Sequence, residues 1–137
     1  MNVLIADDDR TMRFIMRQIL WRDFGATVVE AADGLAALKA MASDEFDLVV
    51  LDLHMPGLDG IGVLTALRGV SRLASVPVLI LSADRDEALV RQTLQLGVVG
   101  YLTKPFNADQ MVKRLHQVFA ASDAAIAPDP APVPAGS

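Results

Sequence analysis

Unbroken apolar runs recur along the chain at Val3-Leu4-Ile5, Leu48-Val49-Val50-Leu51, Val78-Leu79-Ile80-Leu81 and Val98-Val99-Gly100-Tyr101-Leu102, with Thr27-Val28-Val29-Glu30 as a fifth, weaker segment. Between them, residues 9–23, 34–43, 59–69, 84–96 and 107–121 carry apolar positions at helical spacing. Strand and helix therefore alternate five times. A strand that is apolar at every position, rather than at every second one, is buried on both faces, which requires a parallel sheet covered by helices on each side. The expected fold is a doubly wound α/β domain with a five-stranded parallel sheet and five helices. Local signals support the helix starts. Asp84-Arg85-Asp86-Glu87 and Asn107-Ala108-Asp109-Gln110 each place Glu or Gln three positions after a capping residue. In the last helix Met111, Val112, Leu115, Val118 and Phe119 form a core-facing stripe. In the first, Met12, Ile15, Met16, Ile19 and Leu20 do the same, leaving Phe14 and Trp21 outward beside Arg10, Arg13 and Arg17.

With 137 residues, 53% of them hydrophobic, the chain suits one core and a short extension. Residues 1–121 form the expected domain. Beyond them, prolines at 128, 130, 132 and 134 exclude helix and favour an extended, solvated chain, so residues 122–137 read as a Pro/Ala-rich linker or tail. A following effector domain and a free tail both fit that composition. Twelve Lys and Arg against seventeen Asp and Glu give a net charge of -5, which argues against nucleic-acid contact. Cysteine is absent, which excludes disulfides and thiolate chemistry. The N-terminus turns acidic within a few residues, and no apolar run approaches the ~18 needed to span a bilayer. A cytoplasmic protein without membrane contact is expected.

Every apolar run delivers polar groups at its C-terminal end: Asp7-Asp8-Asp9, Asp52, Ser82 and Thr103-Lys104-Pro105. In an open parallel sheet, chemistry gathers beyond those ends, where the winding reverses. Two carboxylates ~4 Å apart repel by roughly 4 kcal/mol at an effective dielectric of 20, so such density calls for a cation. An oxygen-only ligand set without histidine or cysteine suits a hard ion that keeps several waters, Mg²⁺ rather than zinc. With that charge offset, the Asp52 carboxylate can attack phosphorus while Lys104 and the metal hold the equatorial oxygens, giving an aspartyl phosphate. Ser82 is placed to donate a hydrogen bond to one phosphoryl oxygen.

Asp7-Asp8, the segment Leu51-Asp52-Leu53-His54-Met55-Pro56-Gly57-Leu58-Asp59-Gly60, Ser82-Ala83 and Lys104-Pro105-Phe106 together resemble the receiver domain of bacterial two-component response regulators, chemotaxis regulators among them. The likeness covers residues 2 to about 121 and implies a flavodoxin-like fold. It further implies that Asp7, Asp8, Asp52 and the backbone carbonyl of His54 bind Mg²⁺, that Asp52 is the phosphoacceptor and that Lys104 pairs with the phosphoryl group. Ser82 and Tyr101 become the switch pair, acting on a surface made by the fourth helix, fifth strand and fifth helix. The side chains of His54 and Asp84 border the path of attacking water and tune dephosphorylation. The implied partners are a histidine kinase or histidine phosphotransfer protein and an effector domain or downstream protein, with phosphorylation-dependent dimerisation as one output. Phosphodonors dock over the first helix in relatives, so Phe14 and Trp21 become a candidate partner surface; packing against the tail is the other reading. Relatives also carry a cis peptide before the residue matching Pro105, against the ordinary trans preference.

Each residue has a plainer reading. Asp9 is best taken as a helix cap; Ser82 could be a turn hydroxyl, Tyr101 a fixed core aromatic and Lys104 a solvated charge. His116 reads as incidental. Among rival functions, an aspartyl-nucleophile phosphatase would show Asp-x-Asp where this chain has His54 in the third position. A flavin phosphate would be repelled by three aspartates. A receiver-like interaction scaffold that is never phosphorylated remains the alternative, although such scaffolds lose an acid or the lysine, and this chain has both. No enzymatic activity beyond self-catalysed phosphoryl transfer and dephosphorylation is expected.

Overall fold

The computed structural model describes residues 1–126, with side chains described to residue 120. Five strands, β1 (Asn2–Ala6), β2 (Thr27–Ala31), β3 (Leu48–Asp52), β4 (Val78–Ser82) and β5 (Gly100–Thr103), alternate with helices α1 (Arg10–Phe24), α2 (Gly34–Ser43), α3 (Gly60–Arg68), α4 (Glu87–Gln95) and α5 (Ala108–Ile126). All strand pairs are parallel, in the order β2-β1-β3-β4-β5. The chain steps outward from β1 to β2 and returns past it to β3, so the winding reverses between β1 and β3 and a crevice opens at their C-terminal ends. This is the flavodoxin-like, doubly wound sheet.

The unbroken apolar runs follow from two cores. Val3, Ile5, Leu48, Val50, Leu79 and Leu81 face α1 and α5, where Met16, Ile19, Leu20, Met111, Leu115 and Val118 are buried. The alternate strand positions, Leu4, Val49, Leu51, Val78 and Ile80, pack with Ala37, Met41, Val63, Leu64 and Leu67 of α2 and α3. A strand serving both layers has no solvent face and needs no polar alternation. Gly60 lets α3 begin directly against the end of β3, where a Cβ would collide with the Asp52 carbonyl.

Asp9 caps α1 by accepting from Thr11 N and Met12 N, and Asn107 and Gln110 cap α5 reciprocally at 2.8 Å each way. Other expectations change. Asp86, not Asp84, caps α4, accepting from Ala88 N and Leu89 N, and the helix starts at Glu87. Asp84 is unavailable because its carboxylate is taken by Asp86 N and by His54. The fifth strand opens at Gly100 rather than Val98, since its ladder begins with Leu79↔Gly100. Ile15 sits at the flank of the α1 stripe and is 42% exposed. Helix α5 runs to Ile126, beyond the expected boundary at 121, while the proline-rich part of the expected tail, residues 127–137, lies outside the described residues. His116 rests its ring 4.8 Å from that of Phe24. Among the described residues, no helix is long and apolar enough to cross a membrane.

One structural residue has no sequence signature. Arg68, at the end of α3, donates to the carbonyls of Ala74, Val76, Leu96 and Gly97 at 2.8–3.1 Å, tying the turn before β4 to the C-terminal end of α4. Its partial burial pulls the guanidinium below its ordinary pKa. Arg68→Met is expected to cost about 2 kcal/mol, because several carbonyls lose a charged donor at once. Urea unfolding measures this, and an unchanged midpoint would mean that water serves those carbonyls as well.

Candidate functional site

The register of the sheet places its polar strand ends side by side, Asp52 opposite Leu81 and Ser82 opposite Thr103, with Asp7 and Asp8 following Ala6. Asp7 is fully buried, Asp52 is 5% exposed, and Asp8 faces solvent. One carboxylate oxygen from each lies within 4.8 Å of the others. Lys104 reaches in after β5, with Nζ 2.9 Å from Asp7 Oδ2 and 3.4 Å from Asp52 Oδ2. The remaining oxygens take backbone donors: Asp9 N donates to Asp7 Oδ1 at 2.9 Å and His54 N to Asp52 Oδ1 at 3.2 Å. The peptide between Lys104 and Pro105 is cis.

Three carboxylates thus meet one ammonium. Burial, followed by the neighbouring Asp7 charge, pushes Asp52 above the ordinary carboxylate range despite the His54 amide and Lys104. For Lys104, burial pulls downward, but the Asp7 hydrogen bond and the charges of both aspartates prevail and raise it. The donor set fits a hard divalent cation: oxygen ligands only, an uncompensated negative charge, and one side open through Asp8.

Ser82 and Tyr101 converge on a residue that the sequence ranks only as a tuner. Asp84 N donates to Ser82 Oγ at 3.0 Å, and Tyr101 Oη donates to Asp84 O at 2.8 Å. The Asp84 carboxylate meets His54 Nε2 at 3.0 Å and accepts from Asp86 N at 2.8 Å. The Asp86 amide, then His54, holds its pKa below the ordinary value. The predicted residues therefore form two adjoining groups: Asp7, Asp8, Asp52 and Lys104 in the acidic cup, and Ser82, Asp84, Tyr101 and His54 along its rim. A shallow groove of about 510 Å³ starts at Asp84 and Tyr101 and continues past Val90, Arg91, Leu94 and Thr103.

Phe14 and Trp21 lie apart from this site, 60% and 67% exposed on α1. Arg13, expected beside them, instead turns toward the strand ends, donating to Glu30 Oε1 and to the Asp7 carbonyl. Sequence reasoning missed this role. The available signal was a basic residue one turn into the helix that follows the acidic strand end, with a glutamate closing the neighbouring strand.

Asp52→Asn is expected to raise stability in metal-free neutral buffer by on the order of 1 kcal/mol, because it removes a charge from the crowded cup. An acid whose folded pKa is raised favours folding while protonated; that contribution is complete below the unfolded value and is lost as pH rises through the folded one. The gain should therefore disappear in acid and shrink when Mg²⁺ is added. Thermal melts across pH, with and without Mg²⁺, check this, and a lower melting temperature for the variant at neutral pH without metal would contradict the repulsion.

Residues 3–116 match the family described as the response regulator receiver domain. The chain is 41% identical to the chemotaxis protein CheY of Pseudomonas aeruginosa over 120 residues, covering 87% of this chain and 96% of that one. It is 40% identical over the same length to CheY-3 of Vibrio cholerae, covering 92% of that relative. Among solved structures, the chemotaxis response regulator CheY4 of Vibrio cholerae superposes with a TM-score of 0.79 at 32% identity, covering 85% of this chain and 97% of that one. This chain belongs to the response regulator receiver domain family.

Proposed function

We propose that this receiver is a phosphorylation-dependent switch in which Asp52 accepts a phosphoryl group from a phosphohistidine donor. The observation that carries this reading is the meeting of Asp7, Asp8 and Asp52 oxygens beside the Lys104 ammonium. An Asp52 carboxylate oxygen forms the new bond to phosphorus as the bond from phosphorus to the donor imidazole nitrogen breaks, and the imidazole leaves with the electron pair. Asp7, Asp8, Asp52 and the backbone carbonyl of His54 would hold Mg²⁺. When bound, that ion offsets charge developing on the phosphoryl oxygens. Lys104, already between Asp7 and Asp52, pairs with a phosphoryl oxygen as negative charge builds there.

Readout runs through residue 84. As Ser82 turns its hydroxyl proton toward the phosphoryl oxygen, its bond from Asp84 N is drawn along, and Asp84 O carries Tyr101 with it. The groove beyond Tyr101 then changes shape for an effector domain or downstream protein. Phe14 and Trp21, with Arg10 and Arg17 on the same exposed helix, serve as a docking face for the donor, a histidine kinase or phosphotransfer protein.

Incubation with a small phosphodonor and Mg²⁺ should yield a species heavier by one phosphoryl group in intact mass spectra, and Asp52→Ala should not. Absence of that species in the wild type would leave the scaffold reading standing. In the same assay, changing Phe14 and Trp21 together to Ser should leave small-donor labelling intact while slowing transfer from a protein donor.

The His54 and Asp84 side chains meet across the rim of the cup and restrict the approach of water to Asp52. His54→Ala is expected to shorten the lifetime of the phosphorylated form roughly 2- to 10-fold, the range set by losing one hydrogen bond. The decay of the heavier species with time measures this, and an unchanged lifetime would remove the gate.

A further inference from the structure

Arg13 lies in the first turn of α1, where an arginine ordinarily extends into water, yet its side chain is only 14% exposed. Its Nε donates to Glu30 Oε1 at 3.1 Å and its Nη1 to the carbonyl oxygen of Asp7 at 2.7 Å. An ordinary helix-to-strand ion pair would need only the first of these contacts. The second lands on the peptide that joins the two carboxylates at the end of β1.

That peptide is a sensitive place to hold. Asp7 is fixed from β2 through its amide, which donates to Ala31 O at 3.1 Å, and through its side chain, which accepts from Asp9 N. Asp9 is fixed as the cap of α1. Asp8, between them, is exposed, and its direction depends on the plane of the peptide before it. Mutual repulsion of Asp7, Asp8 and Asp52 favours swinging Asp8 outward, away from the cup. A donor pinning the Asp7 carbonyl opposes that rotation. The guanidinium is itself pinned, because Glu30 lies in β2 opposite Ile5 and receives Arg17 Nη1 at 2.8 Å on its other oxygen. The Arg17 bond, against the opposing effect of burial and with help from Arg13, holds the Glu30 carboxyl below its ordinary pKa and so keeps it charged.

We propose that Arg13 is a positioning residue for the acidic cup, clamping the Asp7-Asp8 peptide to Glu30 so that Asp8 stays turned toward Asp52 and the three carboxylates bind Mg²⁺ as a preformed set. This rests on the reading that the cup takes a divalent cation. A planar fork suits the task, since it reaches the carbonyl and the carboxylate together; a lysine ammonium reaches one of them.

Calorimetric titration of the intact chain with MgCl₂ tests the proposal. Arg13→Met should weaken Mg²⁺ binding by about 10-fold or more, the scale seen when groups that orient metal ligands are removed. Arg13→Lys and Glu30→Gln should weaken it by less. Labelling of Asp52 by a small phosphodonor should fall at limiting Mg²⁺ and recover at saturating Mg²⁺. If Arg13→Met fails to fold, Arg13→Lys and Glu30→Gln carry the test. Variants that melt lower while binding Mg²⁺ as tightly as the wild type would make Arg13 a plain structural tie and overturn the proposal. A wild-type chain that gives no Mg²⁺ binding at all would overturn the metal reading itself, and this inference with it.

Discussion

Two carboxylates buried at neighbouring strand ends share one ammonium, and most of what is distinctive in this domain follows from that imbalance. Taking Asp7 and Asp52 out of water is costly unless each oxygen finds a donor, and each does, one backbone amide and a share of Lys104 apiece. The hydrogen bonds are satisfied, but the charge is not: Asp8 adds a third negative group, and among the described residues no second cation pairs with these carboxylates. Burial and the neighbouring Asp7 charge raise the Asp52 carboxyl above its ordinary pKa, while the two aspartates raise the Lys104 ammonium against its own burial. The apolar layers on both faces of the sheet supply the stability that such a cluster consumes. A site of this kind suits the centre of a fully covered parallel sheet, where the strands beneath it hardly depend on it.

On the proposed reading, an event at Asp52 would be felt on the surface through residue 84. Residue 84 joins the two hydroxyls through opposite ends of its own backbone, its amide to Ser82 and its carbonyl to Tyr101. Movement of either hydroxyl is resisted by the other, so the pair behaves as a unit rather than as two independent contacts. The adjoining helix α4 buries only Thr93, whose hydroxyl is spent on Leu89 O within the helix. At its far end Arg68 grips Leu96 O and Gly97 O. Helix α4 is thus lightly packed along its length and held at its two ends, by the Asp86 cap beside residue 84 and by Arg68 at the other.

Much of this architecture can be read directly from the chain, for a physical reason. Burial on two faces leaves uninterrupted apolar runs, and in a parallel sheet the ends of those runs meet in space, so Asp7, Asp52, Ser82 and Lys104 could be brought together without coordinates. What escaped were choices among competing local partners. Asp84, with Glu87 three positions on, reads as the cap in sequence, but the Asp86 amide and His54 from another loop occupy its carboxylate and leave the cap to Asp86. Arg68 is illegible because a guanidinium binds carbonyls, which every residue carries, at distances set by the tertiary fold, and the Arg13 bond to the Asp7 carbonyl is hidden for the same reason although its pairing with Glu30 leaves a signal. Ile15 departs from the sequence pattern because a helical stripe has edges, and the width of the neighbouring surface decides which side of the edge stays dry.

The uneven burial of the three acids also bears on which ion and which donor the cup can accept. Asp7 and Asp52 are walled in by the sheet, while Asp8 stands at the solvent side of the cup. An ion held from one side keeps water on the other, which suits a small cation that sheds its hydration reluctantly and disfavours one that wants an encircling cage. On the proposed reading the phosphoryl group would approach through the same opening, exchanging places with that water. Ion and donor would then be recognised together, and the rim formed by His54 and Asp84 would act on both. Chemistry at Asp52 would be limited less by the carboxylate, already desolvated and held by His54 N, than by what the mouth of the cup admits.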